Sequence, residues 1–312
     1  MAKLSQPTHI WFDEAVRPWG EARVHVWTET VLRAASVFEG LRGYWHPGEN
    51  RHHFVHLSDH MARLADSVRV LRLPRAVSRE ECLGAIEQLL LTLDYREDIY
   101  LRPTIFLREG RYSVGGSADD CGFFMPIFPS ARSESITTGQ SCQVSSWRRS
   151  DDSTAPPRVK AAANYYNLRL ARLEATSNGF DEAILLNTRG QVAETGGSSV
   201  FVVRNGRVAT PDLGSSILES LTRRSAIELL SGELGMPVEE RPVDRTELYL
   251  ADEIFLAGTL AEITPVTTID ALPVGQGEPG DVTRSLEKLY LDACTAGSDD
   301  QRGWLTPGPV LA

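Results

Sequence analysis

The chain has 312 residues, 42% hydrophobic and 24% charged, which is ordinary for a globular protein and long enough for two domains. Its formal charge of -10 argues against nucleic acid or an anionic membrane surface as the main partner, yet leaves room for a local basic site for a small anion. No apolar run approaches the roughly 20 residues that span a bilayer, the N-terminus carries no apolar signal core, and Cys82, Cys121, Cys142 and Cys294 are scattered without a C-x-x-C pair, so a cytoplasmic protein without disulfides or zinc is expected.

Residues 8–13 and 23–28 alternate as short strands do. A run Ala35-Ser36-Val37-Phe38-Glu39-Gly40-Leu41-Arg42-Gly43-Tyr44 follows, with two glycines bracketing an arginine. Residues 58–72 read as a helix with Ser58 as N-cap and Met61, Leu64, Val68 and Leu71 on one stripe, which leaves Arg63 off it. All seven histidines lie within the first 60 residues, but His56 and His60 flank the cap and no Glu or Cys completes a ligand set, so no metal is expected. A second helix spans 79–94, with Ser78 and Glu81 as a capping box. In the strand at 99–108, alternation puts Tyr100 and Arg102 on one face, a pairing that suits a carboxylate, although a solvated face fits the spacing equally. Pro103 cannot donate to a ladder and marks an edge or bulge.

A strand at 121–128 precedes a Ser-, Thr- and Arg-rich stretch, so we expect a small domain at 1–129, a linker at 130–141 and a large domain at 142–312. In the second half, strands are expected near 142–147, 183–187, 199–203 and 253–257, and helices near 164–177, 220–234 and 281–296. Asn205-Gly206 signals a hairpin. Glu194 sits in a loop before Gly196-Gly197, where backbone can approach a ligand closely. The start of the 220–234 helix offers free amides and a hydroxyl for a phosphate, and Gly258-Thr259 could add a second contact. Many short strands with helices at the ends favour two α+β domains.

Lys160 stands out in Pro157-Arg158-Val159-Lys160-Ala161-Ala162-Ala163-Asn164-Tyr165-Tyr166. The chain has three lysines, Lys3, Lys160 and Lys288, against 29 arginines. Arginine stays protonated, whereas a desolvated lysine can become the neutral amine that attacks a carbonyl. Alone, the stretch also fits a surface lysine ahead of a helix.

Together the segments Ser36-Val37-Phe38-Glu39-Gly40-Leu41-Arg42, the helix from His60 to Leu64, Tyr100-Leu101-Arg102-Pro103, Lys160 with Asn164-Tyr165, Glu194, Leu221-Thr222-Arg223, residues 247–253, Gly258-Thr259 and residues 261–266 resemble the class IV aminotransferases, the fold-type IV pyridoxal-phosphate enzymes, with the branched-chain amino acid aminotransferases as the nearest group. The resemblance covers nearly the whole chain. It implies a two-domain α+β fold, a smaller N-terminal α/β domain and a larger domain with a pseudo-barrel β core. It also implies transamination between an L-amino acid and 2-oxoglutarate through a Lys160 Schiff base, and a homodimer. In it Glu194 pairs with the pyridinium nitrogen, Tyr165 bonds the phenolate oxygen, and Leu218 packs on the ring. Arg63, the amides of Leu221 and Thr222, the Thr222 hydroxyl and Thr259 hold the phosphate. Phe38, Arg42, Tyr100, Arg102, Gly258, Thr259 and Leu260 shape the substrate pocket.

The chain departs from that pattern in places. Leu32-Arg33-Ala34-Ala35 and Ser130-Ala131-Arg132-Ser133 stand where tyrosines are usual, Glu219-Ser220 replaces Pro-Gly, Leu260 replaces alanine and Ser199 replaces asparagine. Arg33 and Arg132 thereby become candidate charges in the substrate pocket, alongside Arg108 and Arg111, and the departures suggest a more polar or bulkier acid as partner. Within the same family, a D-amino acid or (R)-amine transaminase or an aminodeoxychorismate lyase remains open, and so does a non-catalytic cofactor-binding homologue.

Overall fold

The computed structural model describes residues 5–108 and 117–312. Its contacts divide the chain into two compact units, one running up to Ala131 with Val159–Ala163 and Ala293–Ala312, the other comprising Arg132–Arg158 and Asn164–Asp292. This partition differs from the continuous domains expected above in two segments, and backbone pairing explains both. Phe38 N–H donates to Lys160 O at 3.0 Å and Ala162 N–H to Ser36 O at 3.0 Å, so the lysine segment lies along the strand Ser36–Phe38. Near the C-terminus, the strand Leu305–Pro307 pairs with Arg51–Val55.

The first unit holds two antiparallel five-stranded sheets. One runs Ala15–Pro18, His9–Phe12, Cys121–Met125, Thr104–Leu107, Ser36–Phe38. The other runs Leu305–Pro307, Arg51–Val55, Leu41–His46, Ile99–Leu101, Ile127–Pro129. The expected strands at 99–108 and 121–128 are each cut in two, at Arg102-Pro103 and at Pro126, and each cut carries the chain from one sheet to the other. A ring that cannot donate a ladder hydrogen bond fits such a crossing. The helices Leu57–Val70 and Arg79–Leu93 bury Leu57, Met61, Leu64, Val68, Ile86, Leu89 and Leu90 in one core with Val37, Phe54 and Phe123.

Three local expectations change here. Residues 23–28 form no strand, because no neighbour pairs with them and their apolar side chains stay in solvent, Val26 at 73% and Trp27 at 63% exposure; Thr28 instead caps the short helix Glu29–Arg33. Ser58 is not an N-cap, since the helix begins at Leu57 behind His56 in the left-handed region, and its hydroxyl accepts from Arg79 Nε. Only half of the expected capping box at Ser78 forms: Ser78 accepts from Glu81 N–H, but the Glu81 carboxylate binds Arg75.

In the second unit, the strands Val192–Thr195, Glu182–Leu186, Gln140–Arg148, Glu262–Ile269, Glu253–Gly258 and Ser199–Arg204 pair in that order, and Ser199–Arg204 returns to pair with Val192–Thr195, closing a six-stranded barrel. Cys142, Val144, Ile184, Val200, Val202, Leu256 and Val266 fill its core. Asn205-Gly206, both at positive φ (50° and 71°), turns the chain from Ser199–Arg204 into Arg207–Thr210 as the dipeptide predicts. Glu194, expected in a loop, lies inside a barrel strand instead. The helix Asn164–Ser177 packs Leu168, Ala171 and Ala175 on Ala183 and Leu185.

Candidate active site

In the first unit the lysine segment delivers Lys160 beside the strand that carries Phe38. Lys160 Nζ lies 5.3 Å from the centroid of the Phe38 ring, and the Arg102 guanidinium lies 3.7 Å from it. Lys160 is therefore a half-buried amine next to an apolar ring that also bears a stacked cation. Tyr100 is buried against Gly40, where an added Cβ would come within 2.7 Å of the phenol oxygen, so only glycine leaves the hydroxyl where it is. Arg42, 2% exposed, donates to Ser130 O at 3.0 Å and lies 3.6 Å from Asp98.

Arg63 is not a lone surface cation. Its Nε and Nη2 each donate to the fully buried Glu39 carboxylate at 2.7 Å, and His60 Nδ1 lies 2.7 Å from Glu39 Oε2. Burial alone would push the Glu39 acid upward, but the charge and hydrogen bonds of Arg63, aided by His60, outweigh it and hold the carboxyl well below the usual range. Burial holds His60 below the ordinary imidazole value against the pull of Glu39, and the charges of Arg63 and Lys160 act in the same direction as burial. Among the described residues no group of three or more His, Cys, Asp or Glu could hold a metal.

Glu39 and His60 escaped the sequence reading as a pair. The available signals were Glu39 as the one acid in the 36–44 run and the i, i+3 spacing of His60 and Arg63 on one helix face.

The second unit places Glu194 in the barrel wall. Its Oε1 accepts from Arg149 Nε at 2.7 Å and its Oε2 from the Leu218 amide at 3.1 Å. Arg149, which the sequence did not single out, is 3% exposed, and its buried Nη1 has no partner, nor has the buried hydroxyl of neighbouring Ser199. The helix Leu221–Gly232 starts behind Ser220, whose hydroxyl accepts from Arg223 N–H, while the Leu221 and Thr222 amides stand outside the intrahelical ladder. Gly258 closes the barrel hairpin opposite Glu262, and residues 259–261 form its tip with Thr259 and Leu260 half-buried. Tyr165 packs against the Leu168 cluster.

The two new candidate charges are both neutralised in the chain. Arg33 binds Glu29 at 2.6 and 2.7 Å, and Arg132 binds the fully buried Glu262 at 2.7 Å and also Glu287. Arg108 pairs with Asp13 at 2.6 Å, and Arg111 lies outside the described residues.

Residues 36–269 match the family described as Amino-transferase class IV. The chain belongs to the class IV aminotransferases. It is 37% identical to a probable branched-chain-amino-acid aminotransferase of Aquifex aeolicus over 98% of this chain and 99% of the relative. A crystal structure of the branched-chain amino acid aminotransferase from Thermobaculum terrenum, in PLP-form, superposes with a TM-score of 0.89 at 40% identity, covering 96% of this chain and 98% of the other. The branched-chain aminotransferase from the archaeon Thermoproteus uzoniensis, crystallised with norvaline, gives a TM-score of 0.89 at 33% identity over 97% and 99% of the two chains.

This class IV aminotransferase is a transaminase whose cofactor is pyridoxal 5'-phosphate. Its residues fit that group. A carboxylate offers about four acceptor positions, and Glu194 uses two on in-chain donors, which leaves capacity for a ring N–H. The first-turn amides of Leu221 and Thr222, which stand outside the intrahelical ladder, are the donors a phosphorylated anion asks for.

Proposed function

We propose that this enzyme moves the amino group of a branched-chain L-amino acid to 2-oxoglutarate. The observation that carries the reading is the Phe38 ring, with Lys160 Nζ 5.3 Å and the Arg102 guanidinium 3.7 Å from its centroid. A substrate amino group brought to that amine meets an apolar wall that accepts an aliphatic side chain and a cation that accepts the second carboxylate of glutamate. The similarity to the branched-chain aminotransferases of Aquifex aeolicus, itself a probable one, and Thermobaculum terrenum supports the same choice.

Bound pyridoxal 5'-phosphate supplies an electron-withdrawing ring that takes up the charge left on the substrate α-carbon. Lys160 Nζ would carry the proton between the substrate α-carbon and the C4′ carbon of the bound group. Glu194 holds the proton on the ring nitrogen, oriented by Arg149 and the Leu218 amide. Tyr165 donates to the phenolate oxygen. Arg63, whose fork Glu39 fixes in direction, joins Leu221, Thr222 and Thr259 at the phosphate. Leu218 packs on the ring, while Tyr100, Arg42, Gly258 and Leu260 border the substrate. With Arg33 and Arg132 both paired, the pocket gains no free cation from them, which removes the motive for a more polar substrate.

A homodimeric state and a cytoplasmic location form part of the same proposal; among the described residues no helix is long and apolar enough to cross a membrane. The test is a single-turnover absorbance change of the cofactor-loaded enzyme with L-leucine, L-valine, L-glutamate, D-alanine and an (R)-amine. Conversion by L-leucine and L-glutamate is expected. Conversion by D-alanine or the amine alone, or by L-glutamate without L-leucine, would overturn the branched-chain reading.

A further inference from the structure

Arg132 lies in the Ser130-Ala131-Arg132-Ser133 stretch, where related enzymes usually carry a tyrosine, and the structure gives it a different task from touching substrate. Its Nε donates to Glu262 Oε2 at 2.7 Å, its Nη2 lies 2.7 Å from the same oxygen, and it also binds Glu287 on the helix Asp281–Cys294. Glu262 has no exposed surface, and its backbone sits at φ 48°, a region that a glutamate adopts only when its surroundings hold it there. It is the first residue after the hairpin tip, directly opposite Gly258 in the register.

The other side of the hairpin is equally confined. An added Cβ on Gly258 would lie 2.6 Å from Gly197 O and 2.6 Å from Ser198 Oγ. Thr195 Oγ1 accepts from the Ser198 amide at 2.9 Å and so anchors that loop one residue beyond Glu194. Within the tip, Thr264 Oγ1 donates to Ala261 O at 2.5 Å. Residues 259–261 are thus clamped between the Gly197-Ser198 loop and the ion triad of Arg132, Glu262 and Glu287.

We propose that Arg132 is a positioning residue, which through Glu262 fixes the tip 259–261 and thereby sets the affinity of the site for cofactor phosphate and substrate carboxylate. The proposal rests on the assignment of Thr259 and Leu260 above. Misplacing a donor by about 1 Å is enough to weaken a ligand's hold without touching it. A positioning role has a signature that direct contact lacks. An arginine that bound the second carboxylate of glutamate would matter for glutamate and not for leucine, whereas one that sets the tip would matter for both.

The experiment measures the dissociation constant of pyridoxal 5'-phosphate by fluorescence titration of apoenzyme, the KM and kcat for L-leucine and L-glutamate, and the apoenzyme melting temperature. The variants are Arg132→Met, Arg132→Lys, Glu262→Gln, the double variant Arg132→Met/Glu262→Gln and Thr259→Ala. Arg132→Met is expected to raise the cofactor dissociation constant and both KM values about tenfold, with kcat changed far less. Arg132→Lys keeps the charge but loses the fork and should recover part of the loss. The double variant should be no worse than the worse single one, since both act on one link.

A fall in melting temperature with unchanged dissociation constant and KM values would overturn the proposal, as would a KM rise confined to L-glutamate. If Arg132→Met yields no folded protein, Arg132→Lys and Glu287→Gln are measured in the same way, and the same two outcomes overturn it. Thr259→Ala separates the role of the tip from the role of Arg132. An unchanged dissociation constant and KM there would remove the assignment of the tip itself, whereas a change there without one in Arg132→Met or Arg132→Lys would remove only the positioning role.

Discussion

All seven histidines belong to the first unit and none to the second, which buries carboxylates against guanidinium groups, as with Glu194 and Arg149 or Glu262 and Arg132. The first unit therefore stakes part of its packing on buried imidazoles, His60 and His52 among them, and the second on buried carboxylates held by guanidinium groups. The units also differ in closure. The barrel has a seam in which Ser199–Arg204 returns to Val192–Thr195, while each sheet of the first unit ends in edge strands.

The largest expected effect comes from the buried cluster of Glu39, Arg63 and His60 in the first unit. Glu39→Gln strips the counter-charge from Arg63 and should cost about 3–5 kcal/mol of unfolding free energy, the usual result of removing one partner from a buried pair. Denaturant titration of the apoenzyme reads it, and a loss below about 1 kcal/mol would mean that the cluster is solvated in solution.

Next in size is acidification. Burial holds His60 and His52 below their ordinary value of 6.5 in the fold, so below that pH the unfolded chain binds more protons than the folded one. The stability of the first unit should be full at neutral pH and above, and should fall as the pH drops below about 6.5. Hydrogen exchange at pH 7 and pH 5, corrected for intrinsic rates, is expected to show protection lost in Arg51–Val55 and Leu57–Val70 and kept in the barrel strands. Equal losses in both would end the contrast.

The smallest effect concerns the clasp at Glu49. The Ser298 amide and hydroxyl, with a lesser contribution from His53, hold its carboxyl at about 2 against an ordinary 4.5. Because the folded value is depressed, this contact stabilises fully above about 4.5 and is lost as the pH falls toward 2. Ser298→Ala should let residues 297–307 exchange faster at neutral pH while leaving the barrel unchanged, and no change there would show that the strand Leu305–Pro307 holds the segment unaided.

Periodicity and capping read off the sequence located most helices and the Asn205-Gly206 hairpin, because those depend on neighbours a few residues apart. The alternation at 23–28 misled because alternation reports a pleat, not the presence of a partner strand. Around Glu194 the two glycines that follow mask the short strand Val192–Thr195. Candidate site residues such as Lys160, Glu194 and Thr222 were legible as chemistry, whereas their partners were not: Glu39 with Arg63 and Arg132 with Glu262 are separated by 24 and 130 residues, and no local spacing encodes such a meeting. The apparent surplus of cations at Arg33 and Arg132 dissolved for the same reason.

The return of the C-terminal segment to the first unit has a consequence for the order in which the molecule can be made. On a ribosome, the second unit has its last residue, Asp292, before the first unit receives 293–312. The strand Leu305–Pro307, which covers the outer edge of Arg51–Val55, emerges after every other described strand. Domains generally complete from the N-terminal side during synthesis. Here the unit that begins first must finish second, so the nascent chain carries a bare strand edge at Arg51–Val55 for as long as translation takes to cover the roughly 250 residues between Val55 and Leu305.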